Sequence, residues 1–237
     1  MDEKVRSYLE RAGLTVSKDF SVETFLKKAS DVLNEKKEED PKLLSYVVPK
    51  MTPDGTCSLP DDLDPNPYNL GKTLLKNDFA ETETLDFVSR VDALVMYLHT
   101  AVGSDWTGVY KRLMTPEGAT LVKIAYRGRP SRAEFPWTDS FASHSNNSTV
   151  ALSGKAVVVS SVKKHQEAGN PYYECDADVQ SELCVPLFSD DGEISGIIDL
   201  ESFKENHFND ERILMIAAAC VVLGPFLTRH TPSYGGQ

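Results

Sequence analysis

Cys175 stands between two acids, Glu174 and Asp176, and Ser181-Glu182 follow a few residues later. A thiolate is the strongest nucleophile among the ordinary side chains and attacks electrophilic sulfur. Two more carboxylates, Asp199 and Glu201, lie further along. Leu183–Phe188 reads as a strand, Ser189-Asp190-Asp191-Gly192 as a turn whose Asp-Gly pair tolerates positive φ, and Glu193–Glu201 as the returning strand. Side chains alternate along a strand, so Asp199 and Glu201 share one face while Ile198 and Leu200 enter an apolar layer on the other. Carboxylates sharing a confined site cannot all ionise cheaply; one can stay protonated and donate while others pair with an ammonium group. A thiol loop beside such a strand has the makings of a small-molecule site. Taken alone, Cys175 also reads as an ordinary loop thiol, because the acids on either side raise its pKa.

Bulk properties narrow the field. The chain has 237 residues, a net charge of -11 and 41% hydrophobic residues. An excess of acid argues against a nucleic-acid backbone or an anionic membrane as partner, since both demand clustered Lys and Arg. The four cysteines, Cys57, Cys175, Cys184 and Cys220, show neither CxxC nor zinc spacing. Asp61, Asp62 and Asp64 lack the regular ligand pattern of a calcium loop, so no metal site is expected. Met1-Asp2-Glu3-Lys4 has no apolar leader, which makes a reducing cytoplasm with free thiols the expectation. Without a leader, the sequons in Asn146-Asn147-Ser148-Thr149 are expected to be idle. Ile213–Leu227 is apolar but shorter than the roughly 20 residues of a spanning helix, and Gly224-Pro225 is expected to break it. A buried core or interface helix is expected there. No Walker loop, dinucleotide glycine fingerprint, metalloprotease helix or Gly-x-Ser-x-Gly elbow occurs.

The elements that must position the acids follow from periodicity. Helices are expected over 2–12 and over 21–36 with Ser21 as cap, and a short one after the Asp40-Pro41 start. Residues 81–102 carry Leu85, Val88, Val91, Val95, Leu98 and Val102 on one helical stripe, ended by Gly103. Trp106–Leu113 and Thr120–Tyr126 read as a hairpin, the second strand alternating strictly. Residues 127–139 read as irregular, 140–153 as holding a short helix, 156–160 as a strand and 163–179 as a long polar loop. Asn209 caps a final helix to about Leu223. Trp106 and Tyr110, four apart, share a strand face; packed sheet core explains them as well as a pocket wall does. The fold class is α+β: an antiparallel sheet flanked by helices, with an N-terminal helical extension.

That order, together with Trp106-Thr107-Gly108-Val109-Tyr110, Glu174-Cys175-Asp176, Ser181-Glu182 leading to Val185-Pro186-Leu187, and Gly196-Ile197-Ile198-Asp199-Leu200-Glu201, resembles a GAF domain. More narrowly it resembles the free methionine-(R)-sulfoxide reductases. The resemblance spans about residues 82–228 and implies a helical extension and linker over 1–80, a GAF domain over 81–230 and a flexible tail over 231–237. It also implies that Cys175 attacks the sulfur of free methionine sulfoxide and passes through a sulfenic acid. Trp106 and Tyr110 would frame the methyl-sulfoxide end, and Glu182, Asp199 and Glu201 would hold the ammonium group and the sulfoxide oxygen. No bound cofactor is implied; thioredoxin or another thiol supplies the reducing equivalents, and the protein is expected to be a homodimer. Three departures stand out. The loop before Cys175 is longer than usual, Glu201 replaces the usual Asp, and Asn147 falls where the family's upstream resolving cysteine is expected. Cys184, Cys57 or an external thiol would then resolve the sulfenic acid. The alternative is a non-catalytic GAF module that binds a small molecule. A third reading makes the N-terminal helices and the final apolar helix an assembly scaffold.

Overall fold

The structure is a computed structural model and describes residues 2–18, 20–51, 62–115, 118–170, 172–173 and 176–229. Helix α1 (Glu3–Ala12) is capped by the Asp2 carboxylate, which accepts from the Lys4 and Val5 amides, and it ends on left-handed Gly13. Helix α2 (Glu23–Asn34) follows, then a 3-10 turn (Pro41–Leu44) capped by Asp40. Two short strands, β1 (Ser45–Tyr46) and β2 (Tyr68–Asn69), pair with each other and lead into α3 (Leu70–Leu75). Helix α4 (Glu81–Val102) ends on Gly103, as expected.

The central sheet comprises β3 (Trp106–Thr115), β4 (Gly118–Arg127), β5 (Glu134–Pro136), β6 (Val157–Val159), β7 (Ser181–Phe188) and β8 (Ile194–Ser202). Its order is β5-β4-β3-β8-β7-β6, and every neighbouring pair is antiparallel. Helices α5 (Asp139–Ala142), α6 (Asn146–Ser153) and α7 (Val162–Glu167) lie between the inner strands in sequence, and α8 (Asp210–Arg229) closes the chain.

The sheet divides the interior into two layers. On one face Val109, Val122, Leu183, Val185, Ile198 and Leu200 meet α1, α2, α4 and α8 in one large apolar core. On the other, a smaller cluster of Trp106, Tyr110, Leu121, Phe135, Val150, Ala151, Cys184 and Ile197 lies between the sheet and α6, with Phe141 of α5 packed against it. Each fully buried Leu or Ile of the first layer contributes roughly 1.5–3 kcal/mol, which lets the second layer carry polar groups.

Several local expectations are corrected. Ser21 does not cap α2; Val22 occupies that position and makes no side-chain capping bond. Strand β4 does not alternate strictly. A bulge lets Val109 pair with Ala125 and Tyr110 with Lys123, so Ile124 and Ala125 both enter the helix-side core. Residues 127–139 contain β5, and α7 opens the segment expected to be a long loop. Gly224-Pro225 does not break α8, because Phe226 and Leu227 continue its buried face. A side chain at Gly224 would overlap the Phe188 carbonyl, so the bare backbone lets α8 approach β7 closely. Helix α8 is long and apolar enough to cross a membrane, but 61% of its apolar window is buried against the rest of the fold. That is the signature of a core helix, as expected. Cys57 and Cys175 lie outside the described residues.

Candidate functional site

The layer opposite the large core opens into a narrow slot lined by Trp106, Tyr110, Phe135 and Tyr173 on its aromatic side, with Ser131, Ser145, Asn146 and Asn147 beside them. Glu182, Asp199 and Glu201 line the same slot. Strand register brings them there. Glu201 pairs across with Trp106 on β3 and with Glu182 on β7, while Asp199 pairs with Gly108 and Cys184. The indole of Trp106 folds back over Gly108, where any side chain would overlap the ring. All five residues expected to bind a ligand therefore border one cavity.

The acids are not a solvent-facing strand edge. Glu182 is 4% exposed and Asp199 5%. Asn146 Nδ2 donates to Glu182 Oε1 at 3.0 Å, and Asn147 Nδ2 donates to Asp199 Oδ2 at 3.2 Å. Asp199 Oδ1 is buried and has no hydrogen-bond partner among the described residues, an orphan acceptor at the slot. Burial pushes Glu182 up to about 6, against a downward pull from the bonds of Asn146 and Tyr172. Burial, then the charge of Glu182, pushes Asp199 well above the ordinary carboxylate range. Burial, then Asp199 and Glu182, does the same for Glu201. Three acids held this way share protons: some remain neutral donors at neutral pH, and an added cation relieves their repulsion.

Cys184 lies on the same face of the sheet, and its thiol donates to Asn147 Oδ1 at 3.5 Å. Burial first, then Asp199 and Glu182, pushes that thiol up, so it is a poor nucleophile where it stands. Cys220, also buried, belongs to the opposite, helix-side core. Cys175 lies outside the described residues, but the chain just before it reaches the slot. Tyr173 lines it, and Asp176 pairs with Arg129 Nη1 at 2.9 Å. Arg129 in turn accepts the Trp106 indole N–H on its carbonyl at 3.0 Å.

Sequence reasoning missed the contributions of Asn146, Asn147, Tyr172, Tyr173 and Ser131. The available signal was the Ser145 cap with two amides in the first turn of a helix. Such amides project beyond the helix start and reach whatever lies there. Among the described residues no group of His, Cys, Asp and Glu is arranged to hold a metal ion.

The family model of the GAF domain matches residues 86–224, more than half of the chain. The chain belongs to the GAF domain family. Among solved structures, the type II free methionine-R-sulfoxide reductase of Thermoplasma acidophilum is 24% identical with a TM-score of 0.52, over 61% of this chain and 94% of that one. The free methionine-R-sulfoxide reductase of Neisseria meningitidis, solved with its substrate, is 23% identical with a TM-score of 0.50, over 68% and 86%. A GAF domain from an Acinetobacter phosphoenolpyruvate-protein phosphotransferase is 14% identical with a TM-score of 0.50, over 60% and 82%. At these identities the likeness is one of fold. No curated protein matches the sequence. The GAF domain described here carries an N-terminal segment whose helices share its core: α1 and α2 pack on α8, and the Tyr8 hydroxyl donates to the Pro186 carbonyl of β7 at 2.7 Å.

Proposed function

We infer that this GAF protein reduces free L-methionine (R)-sulfoxide, with Cys175 as the attacking thiol. The observation that carries the reading is the slot itself. Two buried carboxylates, Glu182 and Asp199, and the half-buried Glu201 face an indole and a phenol, one oxygen of Asp199 lacks a partner among the described residues, and Tyr173 brings the chain to within two residues of Cys175 at the same place. The solved reductases that share the fold are consistent with it.

The Cys175 thiolate attacks the sulfoxide sulfur. A neutral carboxyl of the Asp199–Glu201 pair donates a proton to the sulfoxide oxygen. The oxygen passes to the cysteine as a sulfenic acid, and methionine leaves as the thioether. An ionised carboxylate holds the ammonium group, and Trp106 and Tyr110 accept the S-methyl group, which suits aromatic faces. A second thiol then forms a disulfide with loss of water, and thioredoxin or a similar dithiol reduces it. An external thiol fits this role better than Cys184, which is neutral and bonded to Asn147. A cytoplasmic setting and a homodimer complete the proposal. The cavity measures about 20 Å³, room for one or two waters at roughly 10–15 Å³ each, so side chains at its mouth must rotate to admit an amino acid.

NADPH oxidation coupled through thioredoxin and thioredoxin reductase tests the reading. Turnover of the R epimer, abolished in Cys175→Ser, is expected; no turnover, or equal turnover in that variant, refutes it. A second reading, a ligand-binding GAF sensor, is favoured by Asn147, which bridges Cys184 and Asp199 where a resolving thiol would act. Calorimetry showing tight binding of methionine or its sulfoxide without turnover selects the sensor.

A further inference from the structure

The family match begins at residue 86, yet the chain before it reaches the back of the slot. Tyr46 of β1 donates its hydroxyl to the Lys123 carbonyl at 2.7 Å. Its ring stacks on Tyr68 of β2 at 5.3 Å and meets Tyr126 edge-on at 5.6 Å. Tyr126 stacks on Trp106 at 6.2 Å, and Trp106 lies 6.3 Å from Tyr110. An aromatic row thus runs from the N-terminal segment to both rings of the slot.

Lys123 sits inside this row. Its ammonium is fully buried, 4.1 Å from the Tyr126 ring, 5.1 Å from Tyr46 and 5.9 Å from Trp106. It donates to the Ser131 carbonyl at 2.7 Å and to Ser131 Oγ at 2.8 Å, and Ser131 lines the slot. Tyr68 makes the second tie: its hydroxyl bonds the Glu134 carboxylate on β5, next to Phe135, which also lines the slot. A desolvated ammonium ringed by aromatic faces is a strong, geometrically fixed contact.

We propose that β1 and β2 buttress the ligand slot from behind: Tyr46 and Tyr68 hold Lys123, Ser131 and β5, which carry the slot's lining, against the back of Trp106 and thereby set the slot's ligand affinity. Tyr46 and Tyr68 are positioning residues, since neither borders the cavity itself. This deepens the reductase reading and rests on it for the identity of the ligand. The N-terminal segment is then a working part of the site rather than an appendage.

The test compares three single-hydroxyl deletions in the full chain. Tyr46→Phe and Tyr68→Phe remove the ties to the slot wall. Tyr8→Phe removes a tie of the same kind from α1 to β7 on the helix side. Each is expected to lower the thermal midpoint similarly. By calorimetry with L-methionine (R)-sulfoxide, Tyr46→Phe and Tyr68→Phe are expected to weaken binding several-fold, up to about tenfold, and Tyr8→Phe to bind as wild type. Unchanged affinity in the first two, or an equal loss in Tyr8→Phe, overturns the proposal. If wild type binds no sulfoxide, the reductase reading fails, and the buttress is tested on Trp106 emission in a Trp137→Phe background. Greater acrylamide quenching in Tyr46→Phe and Tyr68→Phe, but not in Tyr8→Phe, supports the buttress; equal quenching in all three overturns it.

Discussion

Adjacent residues of β8 face two different interiors. Ile198 and Leu200 enter a layer closed by four helices, where neighbouring side chains are almost all apolar. Asp199 and Glu201, one residue away, face a thin layer covered by α5 and α6, where amides, hydroxyls and other acids surround them. The first layer supplies stability and the second consumes it, since buried acids without full partners are costly. One strand can hold both only because the period of two separates them completely. A single-residue slip in β8 would bury the acids in the helix-side core.

The contrast is broken most strongly from the closed side. Leu200→Ala removes a fully buried side chain and is expected to cost about 2–5 kcal/mol in urea unfolding, with ligand affinity kept in the folded fraction. An equal loss of affinity without loss of stability would contradict the division into layers.

The next effect is a difference in sign. Lys111 reaches through the helix-side core to the Leu227 carbonyl at 2.7 Å, and burial lowers it to about 8. The unfolded chain holds that proton to higher pH than the folded one. Stability attributable to Lys111 therefore rises between about pH 8 and pH 10, by an amount on the order of 3 kcal/mol when complete. Subtracting the curve of Lys111→Met isolates the term from the tyrosines, and a flat difference would remove it.

The acids of the slot do the opposite. Glu182 is raised to about 6, so the folded state holds its proton while the unfolded state loses it from about pH 4.5 upward. Stability falls across that window by on the order of 2 kcal/mol, and it continues to fall until Asp199 and Glu201, whose carboxyls burial also raises, ionise in the folded state. Glu182→Gln is expected to raise the urea midpoint at pH 7 and flatten the profile between pH 4.5 and 6. A midpoint below wild type at pH 7 would mean that the slot's charge is already compensated.

The smallest effect separates affinity from stability within the slot. Asn146→Ala removes one donor to Glu182 and is expected to cost about 1 kcal/mol of stability, and to move the lower pH limit of ligand binding upward as Glu182 loses a bond to its ionised form. An unmoved limit would assign that titration to Asp199 and Glu201.

Much of this arrangement was legible in the sequence because it rests on local rules. The Asp-Gly turn and the alternation from Ile194 to Ser202 fixed which acids share a face, and the 81–102 stripe ended at Gly103 as its periodicity required. What was not legible depended on contacts distant in sequence. The bulge that moves Ala125 into the helix-side core is set by pairing with Val109, not by the residues of β4. Pro225 stays helical because α8 is clamped on the sheet, which no local propensity reports. Asn146 and Asn147 matter only because α6 starts above Glu182 and Asp199. The role of Tyr46 and Tyr68 arises from a segment that folds back over more than fifty residues of intervening chain.

The central claim joins the acid slot to a thiol, and one single-turnover experiment tests that join directly. Reduced protein is mixed with one equivalent of L-methionine (R)-sulfoxide, with no other thiol present, and both products are weighed by mass spectrometry. The account predicts that methionine appears as the protein either gains one oxygen at Cys175 or loses two hydrogens through a disulfide that includes Cys175. Unaltered sulfoxide with a protein of unchanged mass would contradict it and leave the slot as a binding site alone.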